Sequence, residues 1–111
     1  GLRKLRREQP QNAYIVFLLG DLYFQKEWRS DAMDHYAEAI RLDSSYKKRA
    51  SIHRDLIIAL GSEKTYRKAS LVLHKSVGNP ALPALRRASK RDENPAIRKR
   101  AQAVISRIQG R

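Results

Sequence analysis

The three histidines, His35, His53 and His74, are the first candidates for acid–base or metal chemistry. None has a second ligand at metal-binding spacing, and each reads as an ordinary surface or half-buried side chain. Asp31, Asp34 and Glu38 follow one side of a helical pattern, which reads as a solvated face. No glycine-rich phosphate loop occurs, and the absence of cysteine removes thiolate nucleophiles, disulfides and Cys-ligated metal clusters. The pattern predicts a non-catalytic chain with no catalytic residue, no metal and no cofactor. "RRAS", Arg86 to Ser89, matches a basic-directed kinase site, but such matches are common by chance in a chain this rich in arginine.

What remains is binding chemistry, and the charge points to it. The 111 residues carry 24 Lys and Arg against 11 Asp and Glu, a formal net charge of +13. Residues 1–12 hold four bases and one acid, residues 13–80 eleven and eight, and residues 81–111 nine and two. The excess therefore sits at the ends. In the last segment Arg86, Arg87, Lys90, Arg91, Arg98, Lys99, Arg100 and Arg107 are candidates for an anionic-partner patch, reading an acidic protein or nucleic-acid phosphates. Residues 81–111 contain no aromatic side chain for base stacking and no helix-turn-helix signature, so a solvated basic surface is the simpler reading. Docking to an anionic membrane would need a large exposed apolar face that the pattern lacks.

These residues must be held by helices. At 41% hydrophobic composition the chain can bury one modest core. Asn12 is placed to cap a helix over Ala13 to about Lys26, and Ser30 with Asp31 suits the cap and first turn of a second helix running to Leu42. A third is expected over Lys48 to Leu60, closed by Gly61, and a fourth over Tyr66 to Ser76 before "VGNP". Downstream, Asn94 and Pro95 start a helix whose Ile97, Ala101, Val104, Ile105 and Ile108 form one apolar stripe, expected to face Leu82, Leu85 and Ala88. No apolar run approaches the roughly 18 residues of a membrane span, and residues 1–12 lack the apolar core of a signal peptide, so no membrane span and a cytoplasmic location are expected.

Leu19-Gly20-x-x-Tyr23 followed by Ala32-x-x-x-Tyr36 and Ala39 resembles the tetratricopeptide (TPR) repeat. The steric reason is that Gly20 and Ala32 stand where the two helices of a hairpin cross most closely, with Tyr23 and Tyr36 filling the adjacent space. Ala69 and Leu73 match Ala32 and Tyr36 in a second, degenerate unit, where Ile57 replaces Gly20. The offset from 32 to 69 is 37 residues, about three longer than the family period, and the extra length is expected in "DSSYKKR". Residues 81–108, with Pro83, Asp92 and Arg98, resemble a HEAT repeat, in which the arginine would bond the aspartate of this or a neighbouring unit. Pro10 suggests that residues 1–9 are the end of a truncated preceding repeat. Residues 10–60, with 21–46 at their centre, also resemble helical-repeat tails that follow the catalytic domain in some bacterial serine/threonine kinases.

The resemblance implies an all-α, right-handed helical-repeat solenoid: residues 1–9 ending one repeat, 10–80 forming two TPR-like repeats, and 81–111 a HEAT-like basic closing hairpin. It implies a protein–protein interaction module, a scaffold or docking region of a larger regulatory protein. Its peptide groove would be lined by Tyr14, Phe17, Asp21, Phe24, Gln25, Ser51, Arg54, Asp55 and Ile58. Packing against a neighbouring helix is the alternative for Phe17 and Phe24. Asp21 and Asp55 would repel a carboxylate, so a peptide with apolar anchors and a basic residue fits that groove, and nucleic acid at the basic hairpin is the alternative function. The truncated end implies dimerisation through an uncovered face.

Overall fold

A computed structural model describes residues 1–110. Among them the regular structure is helical throughout: α1 (Leu2–Glu8), α2 (Ala13–Gln25), α3 (Arg29–Leu42), α4 (Ala50–Ala59), α5 (Tyr66–Leu71), α6 (Leu82–Arg91) and α7 (Pro95–Ile108). Short 3-10 turns cover Ser44–Lys48 and Asn79–Ala81, and α5 widens into a π turn over Val72–Val77. No described helix is long and apolar enough to cross a membrane. The chain divides into two compact units, Gly1–Tyr46 and Lys47–Arg111. The predicted boundary between residues 80 and 81 falls inside the second unit, at the Asn79–Ala81 turn.

In the first unit, α2 and α3 form an antiparallel hairpin on which α1 lies. The Asn12 side chain accepts from the Ile15 amide at 3.2 Å and starts α2 as its position predicts. Gly20 is buried where the helices meet: a Cβ there would stand 2.6 Å from Tyr36 Cε1 and 3.4 Å from the Ala32 carbonyl oxygen. Around that contact Val16, Leu19, Ala32, Met33, Tyr36 and Ala39 are almost fully buried. Tyr46, from the turn after α3, closes the core against Phe17 with ring centres 5.3 Å apart. Leu2 brings α1 onto Leu19, Tyr23 and Ala32, while Arg3 Nε donates to the Tyr23 hydroxyl at 3.0 Å.

The turn into α3 differs from expectation. Trp28 holds the capping position without a side-chain cap bond, and Ser30 and Asp31 lie inside the first turn. The cause is the way α2 ends. The Trp28 amide donates to the Tyr23 carbonyl (2.9 Å) and the Glu27 amide to that of Phe24 (3.0 Å), a Schellman closure with Glu27 at φ 64°. That closure uses the whole link, so α3 starts at once.

In the second unit, Ile52 and Leu56 of α4 and Leu60 just after it join Ala69, Leu73, Leu85, Ala101 and Val104 in a core that excludes solvent. The carbonyls from Ile57 to Leu60, at the end of α4 and just beyond it, are engaged. Ile57 accepts from the Leu60 amide, Ile58 from that of Gly61, Ala59 from the Thr65 hydroxyl at 2.7 Å, and Leu60 from Arg100 Nη1 at 2.7 Å. Asn94 caps α7 by accepting from Ala96 at 2.9 Å, and the predicted stripe on α7 is buried except for a half-buried Ile108. The predicted fourth helix over Tyr66 to Ser76 changes character midway: the Gly78 amide reaches the Leu73 carbonyl five residues back, at 2.8 Å, so the last turn is wider than an α turn.

Candidate interaction cleft

The basic and apolar residues singled out in the sequence meet between α4 and α6. Arg54, Ile57 and Ile58 on α4, with Ala84, Arg87, Ala88, Arg91 and Asp92 on and after α6, line a cleft of about 430 Å³. Its floor is apolar because α4 brings Ile57 and Ile58, and α6 Ala84 and Ala88, to it. Ile58 remains 39% exposed in the cleft. Its rim is cationic because Arg87 and Arg91, four residues apart, share the outer face of α6, a helix without an acidic residue. Arg54 stands opposite, its side chain 67% exposed and its Nε 3.3 Å from Asp55 Oδ1. Asp92 is committed to the following turn, where its carboxylate accepts from the Asn94 amide at 2.9 Å.

The nine groove candidates fall on both units. Tyr14, Phe17, Asp21, Phe24 and Gln25 lie on α2, and Ser51, Arg54, Asp55 and Ile58 on α4. Phe17 is buried, its ring centre 6.0 Å from that of Tyr36, and so takes the packing alternative. Phe24 is half-buried against the Leu19–Tyr23–Ala32 cluster, with the Arg29 guanidinium 5.1 Å from its ring centre. Asp21 accepts from the Tyr36 hydroxyl at 2.7 Å, and Asp55 is 5% exposed. The two aspartates expected to select a basic peptide residue are thus engaged or buried within the fold. Tyr14 and Gln25 are exposed and Ser51 half-buried, none of them at the cleft.

The eight basic candidates also divide. Arg100, expected to meet an outside anion, is instead inside the fold: besides Leu60 it donates to Glu63 Oε1 at 2.7 Å and covers the Tyr66 ring. Arg98 donates to the main-chain carbonyls of Asp92 (2.5 Å) and Glu93 (3.3 Å), bracing the α6–α7 turn through backbone rather than through the Asp92 carboxylate. Both lose their place on an open patch because each guanidinium is engaged by main-chain carbonyls at a helix end or turn. Arg86, Arg87, Lys90, Arg91, Lys99 and Arg107 are exposed, and of these Arg87 and Arg91 line the cleft.

Ile57, Ala84 and Ala88 were not among the candidates. Their signal was present in Ala84-x-x-Arg87-Ala88-x-x-Arg91, a small residue and an arginine each repeated at four, which puts an apolar strip beside a cationic one. Among the described residues no group of acidic or histidine side chains could hold a metal ion. His53 is buried, with Nε2 2.6 Å from the Lys47 carbonyl, and His35 packs edge-on to Tyr23. Ser89 of "RRAS" sits within α6, its hydroxyl donating to the Arg86 carbonyl at 2.9 Å. Comparisons with protein-family models, curated proteins and solved structures give no match.

Proposed function

We propose that this chain is a non-catalytic protein–protein interaction module, a TPR-like helical-repeat docking region ending in a HEAT-like pair, and that the α4–α6 cleft is its receiving surface. The observation that carries the reading is the cleft itself: a shallow, partly apolar floor with arginines among its lining residues is how peptide-binding surfaces combine affinity with orientation. The repeat assignment rests on the Gly20–Tyr36 contact in the first hairpin and on the buried Ala69 and Leu73 in the second.

Panning the intact chain against a random peptide library, with Ile58→Glu as counter-selector, tests this. A shared motif enriched on the parent chain and lost on the variant is expected. The second reading, phosphate binding, is favoured by one observation: Arg86, Arg87, Lys90 and Arg91 project from α6 with no acid on that helix. Failure to enrich any motif, together with binding of a labelled random duplex that weakens steeply between about 50 and 200 mM salt, would put nucleic acid in place of peptide.

A further inference from the structure

Resting on the docking reading above, we propose that the occupant of the α4–α6 cleft is an acidic segment: one aliphatic side chain on the floor, with two carboxylates about one helical turn apart engaging Arg87 and Arg91. The sign of charge follows from which groups are free to act. Three guanidinium groups line the cleft, of which Arg54 already pairs through Nε with Asp55, so Arg87 and Arg91 set its sign; its one carboxylate, Asp92, accepts from the Asn94 amide. Asp55, next to Arg54 in sequence, is buried and does not line the cleft. A basic ligand would meet the arginines without a facing acid to receive it, whereas carboxylates meet planar donors suited to two-point bonds.

The spacing follows from α6. Arg87 and Arg91 are four residues apart on one helix, so their attachment points rise by about 6 Å. Acidic residues four apart on a helix match that rise, and so do residues two apart on an extended strand, at about 6.5 Å. Exposed ion pairs alone contribute little, so the carboxylates orient and steer while an aliphatic group on Ile57, Ile58, Ala84 and Ala88 supplies the burial. Both parts are required.

The test uses fluorescein-labelled synthetic peptides and the full chain, read by anisotropy. One peptide carries Leu between two Glu four apart. In a second both Glu are Lys, in a third both are Gln, and in a fourth Leu is Ser. The first is expected to bind at least about tenfold tighter than each of the others. Arg87→Glu combined with Arg91→Glu should abolish that preference, while Lys99→Glu with Arg107→Glu, the same change of net charge on exposed positions outside the cleft, should keep it. Equal binding of the Glu, Gln and Lys peptides, all lost with Ile58→Glu, would overturn the acidic occupant and leave the docking reading intact. Binding of the Glu peptide unaffected by Leu→Ser or equally weakened by both charge-reversal pairs would overturn the cleft as its site. If no peptide binds and a labelled random duplex does, the docking reading falls with it.

Discussion

The Arg100 guanidinium lies 3.8 Å from the centre of the Tyr66 ring while its two terminal nitrogens reach the Leu60 carbonyl and the Glu63 carboxylate. One side chain from α7 thereby caps α4 and anchors the start of α5. Its side chain is 19% exposed, so the bond to the Leu60 carbonyl is partly shielded, while the Glu63 carboxylate, 84% exposed, faces solvent.

Arg100→Lys keeps the charge but cannot serve a carbonyl, a carboxylate and a ring together. Chemical denaturation should show a loss of about 1–3 kcal/mol, against no measurable change for Arg86→Lys on the exposed face of α6. Equal midpoints for the two variants would mean that α4 does not need this cap.

Gly20→Ala places a methyl group 2.6 Å from the Tyr36 ring, and neither helix can retreat without opening the buried seam around Ala32. Overpacking of this kind costs about 1–3 kcal/mol. In a double-mutant cycle with Tyr36→Leu, the combined loss should be smaller than the sum of the single losses. Additive losses would disprove the contact.

Glu27 and Gly78 both hold left-handed φ values, and their substitutions should act in opposite directions. Glu27, at φ 64°, carries the strain of a side chain in the Schellman position, so Glu27→Gly should raise stability by up to about 1 kcal/mol. Gly78, at φ 73° with ψ −141°, has open space around it, so Gly78→Ala should lower stability by about 1–3 kcal/mol through backbone strain alone. Thermal melts of both variants give the two signs directly.

Acid should weaken the end of α3 in a defined way. The Asp43 carboxyl is held below its ordinary value of 3.8 by the Ser45 hydroxyl and then by the Ser45 amide, and Glu38 below its ordinary 4.5 chiefly by its hydrogen bond from Arg41. A lowered carboxyl contributes stability that is fully present above its unfolded value and is lost as pH falls through the folded one. In an NMR titration Ser45→Ala should move the Asp43 midpoint up towards 3.8 and leave Glu38 in place. An unmoved midpoint would refute the local cause.

The parts of this fold legible in the sequence were those set by neighbours. Asn12 and Asn94 cap helices because their partners are two or three residues away, and the α7 stripe is a property of one helix. Gly20 was legible because only a close crossing makes sense of a glycine in an apolar helical run. What escaped depends on distant pairings. Arg100 meets Leu60 forty residues away and Asp21 meets Tyr36 fifteen away, so a linear count of charges assigned both to an open surface. The start of α3 escaped for another reason: Glu27 adopts a conformation usually left to glycine, which no propensity would suggest.

The π turn after α5 gives the second unit a straight seam. Ala69, Leu73 and Val77 are spaced by four and all buried. In an α-helix each step of four over-rotates by about 40°, so a third residue would stand about 80° away from the first. A wider turn rotates less per residue and returns much of that drift. It works as a phase correction, keeping a four-residue rhythm on one buried line where an unbroken α-helix would have spiralled away.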